Sequence, residues 1–186
     1  MEVKEAISTR RAYRALAPVE ITDELVDDLA THAQLAPSCF NNQPTQFVFV
    51  YSSEMLPKIK ETLSGGNVWA TAASLIIAVF SKEDLDCDVK GRKYYLFDQG
   101  QATAFLLLRA TELGLVAHPI AGFDEVEVKE ILGIPDEMTV ITLIIVGKKS
   151  DEISSLLSEK QVETENKRPA RMQLSKFVYR NRYATD

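Results

Sequence analysis

Two groups of residues in this chain have the types and spacing to hold a small molecule. The first lies in residues 35–51, LAPSCFNNQPTQFVFVY. Ser38, Cys39, Asn41, Asn42, Gln43, Thr45 and Gln46 gather between a helix signal that Pro37 ends and an apolar run, 47–51, that reads as a strand. Such a loop suits a planar polar ligand that needs hydrogen bonds along one edge. Taken alone, it is better read as a wet surface loop. The second group is basic: Arg10, Arg11 and Arg14 near the start, and Lys167, Arg168 and Arg171 near the end. The formal charge of −6 argues against a general nucleic-acid binder. Two basic clusters kept in an acidic chain either hold an anion locally or are ordinary solvated faces.

Other chemistries find little support. His32 and His118 are the only histidines, and with Cys39 and Cys87 they make no metal-ligand spacing. No metal site is expected. Cys39 stands where a thiolate could be reached, but only the distant His118 could orient it, so it reads as a loop cysteine without a nucleophilic role. Ser38 lies in no GxSxG elbow. Asp84, Asp86 and Asp88 read as surface charge. There is no dinucleotide fingerprint after a strand and no phosphate-loop motif. What remains is chemistry carried by a bound cofactor, for which the protein supplies position and electrostatics.

The elements that must position these residues follow from pattern. A short helix is predicted over 3–8; were it to continue, Arg10 and Arg14 would share a face. Thr22 reads as the N-cap of a helix with Leu25, Val26, Leu29, Ala30 and Ala33 inward and Pro37 as its stop. The run 47–51 is apolar on both faces and reads as an interior strand. A helix capped by Ser53 and closed by Gly65-Gly66 follows. Residues 75–80 read as a second buried strand, and 81–92 as a charged surface excursion. The longest helix, 98–113, is apolar nearly all round, which implies cover on most sides, including a partner subunit. His118-Pro119 reads as a turn. Asp124 caps a helix that Gly133 ends, 140–146 is a β-branched strand, and another helix is predicted over 151–163. The segment 172–183 holds too many apolar side chains for a free tail and is expected to pack, with a second chain as a candidate surface.

The order of helices and strands does not alternate strictly, so a layered α+β fold is expected. With 186 residues, 46% hydrophobic and 8% aromatic, the chain suits one domain with a real core. No apolar run reaches the roughly 18 residues of a membrane span, and the N-terminal MEVKEAISTRR is no secretory signal. Two cysteines make no disulfide framework, so a cytoplasmic home is expected.

Several segments together resemble the FMN-dependent nitroreductase family: RRAYR at 10–14, LAPSCFNNQP at 35–44, GGN at 65–67, DQGQATAFLLLRATELGL at 98–115, PIAGF at 119–123, ILGIPDEMTVITLIIVGK at 131–148 and KRPAR at 167–171. They cover nearly the whole chain in order. The resemblance implies a single domain over residues 1–186 with a central, mostly antiparallel sheet flanked by helices. It implies an intertwined homodimer whose 167–186 tail packs on the partner, with two FMN sites at the interface. Arg10, Arg11 and Arg14 then match phosphate and ribityl contacts, and Lys167 or Arg168 a further phosphate contact. Ser38, Cys39 and Asn41 belong to the loop crossing to the flavin from one subunit, with Gln43 as nearby support. Asn67 matches a side chain bonded to the isoalloxazine edge. Pro119, Ile120, Ala121 and Gly122 match a turn that covers the ring and offers a backbone N–H toward N5. The implied reaction is ping-pong: NAD(P)H gives hydride to FMN, and a nitroaromatic, quinone or similar acceptor is then reduced. Another flavin reaction on the same fold and a non-catalytic flavin-binding dimer stay open.

Three positions depart from the family pattern. Ala12 stands where many members have serine, Thr45 where tryptophan is common, and Ala121 where some carry an acid. The chain is also short, with little room for the extra helices that shape larger members' substrate pockets.

Overall fold

The computed structural model describes residues 1–183. Helix α1 (Val3–Thr9) leads into an extended segment and the short strand β1 (Leu16–Ala17). Helix α2 (Asp23–Gln34) follows, with Thr22 Oγ1 accepting from Leu25 N at 3.2 Å, as the cap signal predicts. The loop after α2 enters β2 (Gln46–Val50) and then α3 (Met55–Glu61). A 3₁₀ stretch, Gly65–Ala72, precedes β3 (Leu75–Ser81). Two short strands, β4 (Asp88–Val89) and β5 (Arg92–Lys93), pair as a hairpin before the long helix α4 (Tyr94–Glu112). Then come β6 (Leu115–Ile120), α5 (Glu125–Leu132), β7 (Thr139–Lys149) and α6 (Glu159–Asn166).

The main sheet has five strands. β7 is its spine, antiparallel to β3, β6 and β1. β2 adds to the far side of β3, also antiparallel. Alternation along β3 sends Leu75, Ile77 and Val79 to one face and Ile76, Ala78 and Phe80 to the other. The first set packs with Leu29 and Ala33 of α2 and Leu106 and Ala110 of α4. The second packs with Ile59 of α3, Val128 of α5 and Trp69. Every residue of β3 is buried, because helices cover both faces and strands both edges. The result is the layered α+β arrangement that the element order predicts.

Several expectations need correction. The helix at the N-terminus stops at Thr9, so Arg10 to Arg14 are extended and share no helical face. β2 pairs only with β3 and is an edge strand; its apolar faces are covered by helices, not its edge by another strand. Ser52, not Ser53, accepts from Met55 N at the start of α3. Gly65 and Gly66 do not close α3, which ends at Glu61 with Thr62 as its C-cap; they open the 3₁₀ stretch instead. His118-Pro119 lies inside β6, where the missing proline N–H costs little because the strand has only one neighbour. The last helix begins at Glu159 rather than 151, set by a full capping box between Ser158 and Gln161. In the single chain Phe97 and Phe105 of α4, the helix expected to meet a partner subunit, are exposed. On the 172–183 segment, for which a second chain was a candidate surface, Met172, Leu174, Phe177, Val178, Tyr179 and Tyr183 are exposed in the single chain. Cys39 and Cys87 form a disulfide across 48 residues of chain, against the expectation of two unlinked thiols. No local signal marks it, because the partners meet only through the tertiary fold. Among the described residues no helix is long and apolar enough to cross a membrane.

Candidate functional site

Arg10, Arg11 and Arg14 lie on the extended segment between α1 and β1, and Arg168 and Arg171 on the chain after α6. All five line one cavity of about 160 Å³ together with Thr164 and Pro169. The segment is held by a buried carboxylate that motif reading missed. Glu165 accepts from Arg14 N at 2.8 Å and from Ala15 N at 3.2 Å, so its charge is spent on backbone donors. The arginines find neutral partners. Arg11 donates to Thr164 O, Arg14 Nη1 to Thr164 Oγ1 at 3.2 Å, Arg168 Nη2 to Ser8 O and Arg10 O at 2.7 and 2.8 Å, and Arg171 Nη1 to Pro169 O. Burial, and then Arg168 and Arg171 beside it, push the Arg10 guanidinium below its ordinary pKa. Cations clustered around one cavity form a standing site for an anion. Lys167 sits at the C-cap of α6.

One cavity residue, Arg14, lies near an aromatic pair. The Arg14 guanidinium lies 5.8 Å from the Trp69 ring centroid, and Trp69 stacks on His118 at 4.7 Å. His118 Nδ1 is 3.0 Å from Tyr13 O, so the neutral ring carries its proton on Nδ1 and ties the arginine segment to β6. Burial lowers the His118 pKa to about 4, with Arg14 and Arg10 adding to the effect against the Tyr13 carbonyl. Trp69 Nε1 is buried with no acceptor in the chain. Its ring is the one near Arg14, so a buried donor without a partner stands close to the cationic segment.

Beyond β6 the turn at Ala121 and Gly122 meets the 3₁₀ stretch. Asn67 Nδ2 donates to Gly122 O at 2.9 Å, and Ser64 N donates to the same oxygen at 3.1 Å. A Cβ on Gly122 would stand 2.4 Å from Ser64 Oγ and 2.6 Å from Asn67 Nδ2, so any larger residue would have to push these side chains aside. The structure therefore brings Asn67, Ile120, Ala121 and Gly122 to one end of the strand that carries His118 and Pro119.

Ser38, Cys39, Asn41 and Gln43 are not part of that surface. Ser38 and Gln43 line a separate cavity of about 550 Å³ between α2, β2 and α4, with Pro37, Phe47, Asp98 and Ala102. Asn41 is exposed and Cys39 is in the disulfide. Cys39 N donates to Asp98 Oδ2 at 2.7 Å, and Ser38 Oγ accepts from Gln43 N at 3.0 Å. Burial, reinforced by the neighbouring Asp86, raises the Asp98 carboxyl. Thus one chain offers the two parts of the expected site on different surfaces. Glu165, Thr164, Tyr13, Trp69 and Ser64 were missed, because their roles arise from long-range contacts. Arg171 alone had a sequence signal, its place in the basic cluster.

A family model described as "Nitroreductase family" matches residues 7–67 and 60–148. An Archaeoglobus fulgidus protein named "Putative NADH dehydrogenase/NAD(P)H nitroreductase" is 31% identical over 159 residues, covering 81% of this chain and 87% of that protein. A solved structure titled as an oxidoreductase containing FMN superposes with a TM-score of 0.86 at 27% identity, covering 100% of this chain and 95% of the other. A nitroreductase family protein from Clostridium novyi NT gives 0.74 at 28% identity, covering 81% and 87%. Sequence and fold agree over most of the length, and the chain belongs to the Nitroreductase family.

Proposed function

We propose that the protein is a flavoprotein oxidoreductase that binds FMN and passes reducing equivalents from NAD(P)H to a nitroaromatic, quinone or similar small acceptor. The observation that carries this reading is the cavity of Arg10, Arg11, Arg14, Arg168 and Arg171, whose described side-chain bonds go to carbonyl and hydroxyl oxygens rather than carboxylates. It is too small for a nucleotide and suited to its phosphate. The FMN-containing relative of the same fold supports the choice of ligand.

Bound there, FMN would supply hydride and electron transfer at its ring. The chain's task is placement. Arginine forks would bind phosphate oxygens in pairs. Asn67, fixed by Gly122 O, would present its amide to a ring edge, and the backbone at 121–122 would offer a donor nearby. Trp69 and His118 form a wall that stays neutral at physiological pH. The 38–43 loop would come from a second copy, completing a homodimeric site. The exposed Phe97 and Phe105 of α4 and the apolar 172–183 segment supply surface for that contact. Donor and acceptor would use one open face in turn, which is the ping-pong scheme. A cytoplasmic setting belongs to the same reading.

The test is spectral. The purified protein, with FMN added, is titrated anaerobically with NADH and then NADPH. The expected result is flavin absorbance that retains with protein and bleaches with at least one donor. A protein that is colourless and fails to bind added FMN refutes the reading.

A further inference from the structure

The proposed reaction makes no use of the Cys39–Cys87 disulfide, which stands where a covalent link has a conformational consequence. It joins the loop after α2 to the segment before β4, with 6.1 Å between the Cα atoms. The loop side is strained. Phe40, Asn41 and Gln43 have φ of 49°, 59° and 51°, in the region that disfavours residues bearing a Cβ. Packing does not hold Phe40 there, since the residue is 90% exposed. The other side is weakly anchored as well: none of residues 82–93 is buried.

Besides bonds within the loop, such as Gln43 N to Ser38 Oγ, its contacts to other elements cluster around the disulfide. Asn42 Nδ2 donates to Asp86 Oδ1 at 3.2 Å and lies 3.4 Å from Cys87 Sγ. Cys39 N is bonded to Asp98, whose Oδ1 accepts from Gln101 Nε2 at 3.0 Å. Among the described residues Asp86 Oδ2 is buried with no hydrogen-bond partner. Both cysteines are half-buried, so a small thiol can reach them.

We propose that Cys39–Cys87 is a reversible thiol–disulfide site whose oxidised form holds the loop bearing Ser38, Asn41 and Gln43 in its strained conformation and whose dithiol form releases it. The exchange partner is a low-molecular-weight thiol. An external thiolate attacks one sulfur and the protein S–S bond breaks, leaving a mixed disulfide and one cysteine thiolate that takes up a proton. A second external thiol then displaces the bound one. The products are two protein thiols and one external disulfide; two electrons enter the protein, and the protons come from the external thiols. The reverse sequence restores the link. That the loop's state matters to a flavin rests on the function proposed above.

The full chain is equilibrated in glutathione buffers of graded reduced-to-oxidised ratio, trapped with an alkylating agent and counted by mass. Hydrogen exchange of residues 38–45 is followed in the oxidised chain, the reduced chain and Cys87→Ser. The expected result is a two-electron transition within the buffer range. Loop exchange should rise about tenfold or more on reduction, Cys87→Ser should match the reduced form, and β3 should be unchanged. A disulfide that never forms, or one that survives the most reducing buffer, overturns the proposal. So does equal loop exchange in both forms. These readouts need no flavin, so a protein that binds no FMN would refute the proposed function while leaving this proposal to be decided on its own data.

Discussion

His118 gives a pH dependence whose sign and size can be worked from the structure. Its pKa falls from 6.5 to about 4 in the folded chain, chiefly through burial against Trp69. The unfolded chain therefore binds a proton at this residue in a range where the folded chain does not. Stability is fully present above about pH 6.5, falls as pH drops at up to about 1.4 kcal/mol per unit, and levels off below the folded pKa. Integrated from pH 7 to pH 5, the loss is about 2 kcal/mol. Asp28 and Glu112 are held low by Arg109, so their losses come at more acid pH, and the raised Asp98 contributes with the opposite sign. Comparison with His118→Gln cancels these shared contributions. Urea unfolding of both proteins without added flavin, at pH 7 and pH 5, is the assay. The wild type should lose about 2 kcal/mol more than the variant over that interval. Parallel losses would show that His118 titrates as an ordinary exposed histidine and would refute the buried, neutral wall.

Three further outcomes are expected. Arg10→Ala should weaken FMN binding by roughly 10- to 100-fold, the loss of one charge-assisted hydrogen bond, with little change in thermal midpoint; equal affinity in a fluorescence titration would count against the phosphate cavity. Gly122→Ala should cost about 1–3 kcal/mol of stability, because the new methyl displaces Asn67 from the Gly122 carbonyl, and a melting curve matching wild type would contradict that geometry. Ser158→Ala should remove the capping box of α6 at a cost of about 1 kcal/mol, read by urea midpoint; because α6 carries Glu165, FMN affinity should fall with it.

Where signals are local, the sequence specified the structure closely. Thr22 and Asp124 cap their helices through the bonds their positions imply, and Gly133 ends α5 with a φ of 66°. The buried strands were legible from their apolar runs, and the layered class from element order. β2 looked interior because helices cover both of its faces, a pattern that says nothing about its edges. Pro119 looked like a turn because proline is excluded from strands with two neighbours, and β6 has one. The helix after β7 was placed too early although SEKQ carries its cap in plain view at 158–161. Arg10, Arg11, Arg14 and Arg168 could be grouped by charge. Glu165 and Tyr13, which position them, gave no signal, since their partners are about 100 to 150 residues distant in the chain. A separation of 48 residues likewise hid the Cys39–Cys87 link.

The central place of β7 has a consequence for biosynthesis. Three of the sheet's strands pair directly with it, yet it begins at Thr139. While the first 138 residues leave the ribosome, β3 has β2 on one side and nothing on the other, and β6 has no neighbour at all. At about 5–20 residues per second that interval lasts several seconds. During it the nascent chain exposes the apolar edge of β3, a length of backbone suited to sticking to other chains. Emergence of β7 then completes most of the sheet at once, so folding is expected to be delayed and abrupt rather than gradual, with chaperone dependence concentrated in that window.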